Sequence, residues 1–241
     1  MPRFSGLKKS LLALAIFGIV SLAHGTAQAD PITVCTGVGC SNQNVSGTIV
    51  AGAGTVTITL NNNLTNAQVV SVIQNISGVY FQVSGYTLGA VSLSSSSSAQ
   101  STNIDGSGNA TLAGAVNPTG WAAGHSGSVI TVCVVCAFGV GPTAGPEQTI
   151  IGGTGSGSYP AANGSIAGNA PHNPFLVGTT TFTLIVPGVT ANSTFSNVVI
   201  QFGTTATPPE QQQVPEPASM LLLGTGLVGA AATYRRRRRT R

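Results

Sequence analysis

Few side chains in the interior of this sequence can do chemistry: Cys35, Cys40, Cys133 and Cys136, His125 and His172, and the carboxylates Asp30, Asp105, Glu147 and Glu210. Two close cysteine pairs could form disulfides, hold zinc, or exchange electrons as thiols. An all-cysteine zinc site suits two such pairs, but the wider Cys35–Cys40 spacing is loose and no basic second shell accompanies it. Redox catalysis at Cys133-Val134-Val135-Cys136 would need a helix N-terminus to depress a thiol pKa, and the β-branched run supplies none. No metal ligand is assigned. Three disulfide connectivities are open. Local closure of Cys35 with Cys40 suits the turn residues Gly37 and Gly39. Cys133 and Cys136 would point to opposite faces of an extended strand, so that segment must bend, or its members pair with the N-terminal cysteines. A bridge of the second kind would pin about a hundred residues and stabilise by ~4–5 kcal/mol on the chain-entropy model.

Hydrolytic chemistry has little to work with. Ser126, His172 and Asp105 make a triad on paper, yet no Gly-x-Ser-x-Gly elbow surrounds any serine. A serine-rich chain puts some serine near a histidine by chance, and geometry defines a triad. Asp105 and Glu147 are the interior carboxylate pair on which a glycosidase would have to be built, a thin basis. Asp105-Gly106-Ser107-Gly108-Asn109 has the oxygens of a calcium loop without the spaced acids and terminal Glu, and reads as a turn. No catalytic residue and no cofactor is expected. For sugar binding, Trp121 is the candidate ligand residue, with Tyr80, Tyr86 and Tyr159 as further stacking faces. Core packing is the competing explanation for each. The six Asn-x-Ser/Thr sequons, such as Asn44-Val45-Ser46, follow from an Asn-, Ser- and Thr-rich composition.

Whatever these residues do, strands must position them. Thr55-Val56-Thr57-Ile58-Thr59-Leu60 alternates with period two, the pattern of a half-buried strand. Val79–Val83, Val129–Phe138, Thr181–Val186 and Val198–Phe202 are further candidates. Asn61-Asn62-Asn63, Ser94–Ser98 and Gly152–Gly157 read as separators, and Gly139–Pro174 as a long loop. Asn66–Ile76 has the apolar spacing of a short helix, weakened by its β-branching. Strands outnumber helices and no βαβ rhythm appears. The expected fold is all-β, an antiparallel β-sandwich or jelly-roll-like single domain over residues 30–203. With roughly 185 mature residues such a domain buries about 70% of its unfolded surface.

The two ends differ from the body. The net charge of +4 suggests an anionic partner, but all nine basic residues are terminal: Arg3, Lys8 and Lys9, then Arg235–Arg239 and Arg241. A body with no Lys or Arg cannot release phosphate counterions, so nucleic-acid binding is excluded as a function. Residues 1–29 have the layout of a signal peptide and its helix: a basic start, apolar Leu11–Ala23, and small residues Ala27 and Ala29 before the cleavage point. The Sec machinery and signal peptidase are the implied partners. Export with an even cysteine count favours structural disulfides over the other thiol chemistries. Residues 204–213 read as a polar linker. In the tail, 214–241, Pro215-Glu216-Pro217 precedes an uncharged span, 218–234, and an arginine cluster, 235–241. Seventeen residues are the lower limit for a transmembrane helix, and the arginines would hold its end in the cytoplasm. The prolines keep the tripeptide extended and open to an enzyme.

This tripartite tail resembles the PEP-CTERM sorting signal of Gram-negative exoproteins. The resemblance implies processing at Pro215, Glu216 and Pro217 by an exosortase, a membrane-embedded protease, and association with exopolysaccharide or biofilm. The phrases Pro118–Trp121, Gly164–Phe175 and Ile200–Thr204 are similar to recurring phrases of uncharacterised PEP-CTERM exoproteins, and carry no site residues with them. The expectation is an exported structural protein of the cell surface or extracellular matrix, transiently anchored in the inner membrane. A polysaccharide-binding module is the alternative, and a secreted hydrolase comes third.

Overall fold

A computed structural model describes residues 28–136 and 147–205 of the chain. The segment expected to be a signal peptide (up to Ala27), most of the expected linker and the whole expected sorting tail, including Pro215, Glu216 and Pro217, lie outside the described residues. Among the described residues no helix is long and apolar enough to cross a membrane. The fold is all-β. Among the described residues there are twelve strands between Ala29 and Phe202, with short 3-10 turns at Val38–Cys40, Val72–Gln74 and Ala170–His172.

Three strands open the chain as a meander: β1 (Ala29–Thr36), β2 (Gln43–Gly52) and β3 (Thr55–Asn62). β4 (Ile76–Val83), β5 (Ser92–Ile104), β6 (Asn109–Ala113), β7 (Ala122–Ser126) and β8 (Val129–Cys133) follow. The last four are β9 (Ile150–Ile151), β10 (Gly157–Ser158), β11 (Phe175–Ile185) and β12 (Phe195–Phe202). Hydrogen bonds link all twelve into one mixed sheet. One arm runs β1-β2-β3-β11-β5-β6-β10, and the other β12-β4-β8-β7. β9 joins them, pairing in parallel with β11 at Leu176 and Val177 and antiparallel with β4 at Ile76.

Alternation decides which face is buried. In β3, Val56, Ile58 and Leu60 are buried while Thr55, Thr57 and Thr59 lie on the other face. In β11, Phe182 and Leu184 turn inward in alternation with Thr181 and Thr183. Those inward residues join Ile49, Phe81, Ile130, Val132 and Trp121 in the main core. A second cluster collects Leu64, Val69, Val72, Ile104, Tyr159, Ile166 and Phe175 where the longer connections cover the sheet.

Four sequence expectations are corrected, the first being the Asn61-Asn62-Asn63 separator, whose Asn61 and Asn62 are the last residues of β3, paired with Ser46 and Val45. Asn66–Ile76 forms no helix beyond the Val72–Gln74 turn, and Ile76 already belongs to β4. Four β-branched residues resist helical packing, and the Gln74 carboxamide oxygen accepts from the backbone N–H of Val70 and Ser71 instead. Ser94–Ser98 is no separator but the centre of β5, paired along β11. Its inward hydroxyls find partners, Ser96 donating to the Pro118 carbonyl and Thr180 donating to Ser98. The strand expected over Val129–Phe138 stops at Cys133, where the chain bends.

Candidate functional site

The cysteines form local pairs, Cys35 with Cys40 and Cys133 with Cys136. The first closes the turn after β1, where Gly37 and Gly39 take positive φ. The second closes the bend after β8, which solves the opposite-faces problem by ending the strand at Cys133. The described residues hold no free cysteine and no cluster of three or more metal-ligating His, Cys, Asp or Glu side chains.

Trp121 lies just before β7, only 6% exposed. Its ring packs on Phe182 with centroids 4.4 Å apart, and its indole N–H donates to the Gln148 carbonyl at 2.9 Å. Both the ring face and the polar tip are engaged inside the protein, so Trp121 presents no stacking platform for a sugar. Tyr80 and Tyr159 are buried as well, and Tyr86 donates to the Gly89 carbonyl beside His125.

Two of the three candidate triad residues, Asp105 and His172, have partners of their own, and Ser126 ends β7 on an exposed position. The Asp105 carboxylate accepts from the backbone N–H groups of Ser107 and Asn109 at 2.8 and 2.9 Å, closing the β5–β6 hairpin. The Asn109 backbone bond, more than that from Ser107, holds its pKa below the usual carboxylate range. His172 bonds through Nδ1 to the Ser165 carbonyl at 2.6 Å, and His125 through Nδ1 to the Gly127 carbonyl at 3.3 Å.

What the fold does assemble is a broad face of hydroxyls, which the sequence showed only as separate Ser and Thr runs. Strand register sets Thr48 opposite Thr59, Thr59 opposite Thr181, and Thr181 opposite Ser97. The next rank is Val50, Thr57, Thr183 and Ser95. The Thr59 and Thr181 hydroxyls are 3.3 Å apart across the strands. Thr33, Ser46 and Asn61 extend the face toward β1. Neighbouring strands lie about 4.8 Å apart and alternate residues about 6.8 Å apart along each, so the hydroxyls form a two-dimensional array. Not one of these residues is ionisable, so contacts through the array are uncharged hydrogen bonds.

A second structured feature is the exit of the chain toward its tail. The Gln201 carboxamide donates to the carbonyls of Val135 and Thr205 at 2.9 and 3.0 Å and accepts from the Tyr80 hydroxyl at 2.7 Å. Gly203, at φ 78°, donates to the Asn75 carbonyl at 2.9 Å. Residues 203–205 are thus held against the body beyond β12. At the other end, Ala29 is the first residue of β1, opposite Val50.

Comparison with protein families matches residues 213–239 to the PEP-CTERM protein-sorting motif. No curated protein matches the chain. The match covers the tail alone. It supports an exported protein, processed by an exosortase and sorted to the cell envelope or surface.

Proposed function

We propose that this chain is a non-catalytic structural protein of the extracellular matrix, sorted through its Pro-Glu-Pro tail. After export, residues 218–234 tether it in the inner membrane until an exosortase acts near Pro215, Glu216 and Pro217. The observation that carries the matrix role is the hydroxyl array across β2, β3, β11 and β5. A polysaccharide of neutral sugars offers hydroxyls at similar density, and many weak bonds over a wide face retain a protein without one tight pocket.

Two further points support this reading. Asp105 and His172 are committed to hydrogen bonds within their own loops, which suits scaffolding better than proton transfer. The Trp121–Phe182 contact brings the second arm of the sheet over the first, so we read the arms as two facing layers of a sandwich. One layer then offers its outer face wholly to the matrix.

The test is retention. Thr48→Ala, Thr59→Ala and Thr181→Ala together remove three adjacent hydroxyls from an outward face. The triple variant is expected to stay folded, with its Tm lowered by several degrees, and to shift from the matrix to the soluble culture fraction by several-fold. An unaltered distribution would remove the array from the function.

A further inference from the structure

The exit of the chain and three of the exposed aliphatic side chains, Val38, Val70 and Ile73, share one end of the body. β12 runs antiparallel to β4, so Phe202 leaves the sheet beside Ile76, where β4 begins. The turn just ahead of β4 carries Ile73, 68% exposed, and Val70, 44% exposed. Gly203 abuts it so closely that a Cβ there would lie 3.3 Å from the Ile73 Cα. The Val38–Cys40 turn adjoins the same place, because the Gln74 carboxamide donates to the Ser41 carbonyl at 3.2 Å. Val38, at its tip, is 94% exposed. Two stiff turns, one closed by the Cys35–Cys40 disulfide, therefore present aliphatic side chains to solvent where the chain departs.

We propose that this end docks on the lipid surface into which the tail inserts, so that the body stays seated on the membrane until the tail is cut. The inference rests on the reading of 218–234 as a membrane span. From the clamped Thr205 to the start of that span lie the twelve residues 206–217. With four prolines among them, those residues span between about 20 Å as a flexible coil and about 40 Å when extended. The body is thus confined within roughly its own diameter of the bilayer, with its exit end nearest. At the millimolar effective concentration of a short tether, a weak patch is enough. Attraction to anionic headgroups is not available to a body without Lys or Arg, which leaves insertion of Val38, Val70 and Ile73 as the contact. Once the tail is cut the effective concentration is lost, and three aliphatic side chains cannot hold the body. Docking and release are then compatible.

The fold supplies its own control. Leu88 is 76% exposed but lies beyond Val83, at the far end of β4, an eight-residue strand about 26 Å long. The exported chain with its tail retained is reconstituted in phosphatidylcholine vesicles with plain or brominated acyl chains. Tryptophan quenching by bromine is read for Ile73→Trp and Leu88→Trp after subtraction of the parent, whose Trp121 is buried. Ile73→Trp is expected to be quenched at least about threefold more than Leu88→Trp. Adding Val38→Ser and Val70→Ser to Ile73→Trp should halve that quenching. Equal quenching at the two poles overturns the proposal, as does quenching that ignores the serine changes, because tethering alone would explain it. Sedimentation as a dimer without quenching would make the patch an interface between copies. Flotation separates the premise from the proposal: a chain that does not float with vesicles refutes the membrane span itself, and docking with it.

Discussion

The Trp121 ring lies on Phe182 with centroids 4.4 Å apart, while the Trp121 indole N–H donates to the carbonyl of Gln148. This contact joins the segment before β7 to the centre of β11. Trp121→Ala should therefore cost about 3–5 kcal/mol, in the range of a large aromatic deletion from a core. Trp121→Phe should cost less, losing the N–H and part of the contact. Urea denaturation of both variants checks this order. A Trp121→Ala protein as stable as the parent would contradict the packing role.

The short disulfides predict a modest contribution. Loops of five and three residues' separation give about 2 kcal/mol each on the chain-entropy model, against ~4–5 for a bridge spanning a hundred residues. Paired replacement Cys35→Ser with Cys40→Ser should lower stability by about 2 kcal/mol and leave the other bridge intact. Peptide mapping without reductant should recover each pair within one peptide. A peptide joining Cys35 or Cys40 to Cys133 or Cys136 would refute the pairing.

Strand identity was legible in the sequence where burial alternates on one face. Thr55–Leu60 falls within β3, where Val56, Ile58 and Leu60 are buried in alternation, whereas Val198–Phe202 falls within β12 as a β-branched run in which Val199, Ile200 and Gln201 are all buried. The serine run was not legible: five serines carry no apolar pattern, and β5 exists there because β11 supplies a partner along its length. Tertiary pairing also decided the fate of Asn66–Ile76, whose valines and isoleucines fit helical spacing but are held by Gln74 in a turn. The tail was readable because its function lies in composition and order rather than in a folded shape. The hydroxyl array was invisible because register, which the sequence does not state, sets Thr59 beside Thr181.

Tyr159 sets an alkaline limit. It is only 1% exposed, its hydroxyl donates to the Gly152 carbonyl at 2.9 Å, and burial raises its pKa above the usual phenol value. The neutral form is favoured on folding, so its contribution is full below pH ~10 and is lost as pH rises through the folded pKa. Tyr159→Phe should lose about 1–2 kcal/mol at neutral pH, leaving Gly152 and Gly155 without their partner. It should also flatten the decline of Tm above pH ~10. An unchanged alkaline slope would show that another group governs it.

Asp105 acts at the opposite end of the scale. Its depressed carboxyl pKa means that its contribution is present above the unfolded value near ~3.9 and fades as pH falls through the folded one. Asp105→Asn keeps an oxygen for the Ser107 and Asn109 N–H groups but removes the titration. The variant should show a shallower fall in Tm below pH ~4. A slope equal to that of the parent would contradict this assignment.

If the basic ends are addresses, their removal leaves an acidic body. Loss of residues 1–29 removes Arg3, Lys8 and Lys9, and cleavage near Pro215-Glu216-Pro217 removes every remaining arginine. What is left carries Asp30, Asp105, Glu147 and Glu210 with no Lys or Arg, so its isoelectric point should fall toward the carboxylate range near ~4. The whole chain, by contrast, has a sequence pI of about 9.1. Isoelectric focusing of the protein recovered outside the cell, with intact mass on the same band, measures this directly. An acidic band whose mass ends near Pro215-Glu216-Pro217 is the predicted result; a band above pH ~7 that retains Arg235–Arg239 would contradict the account.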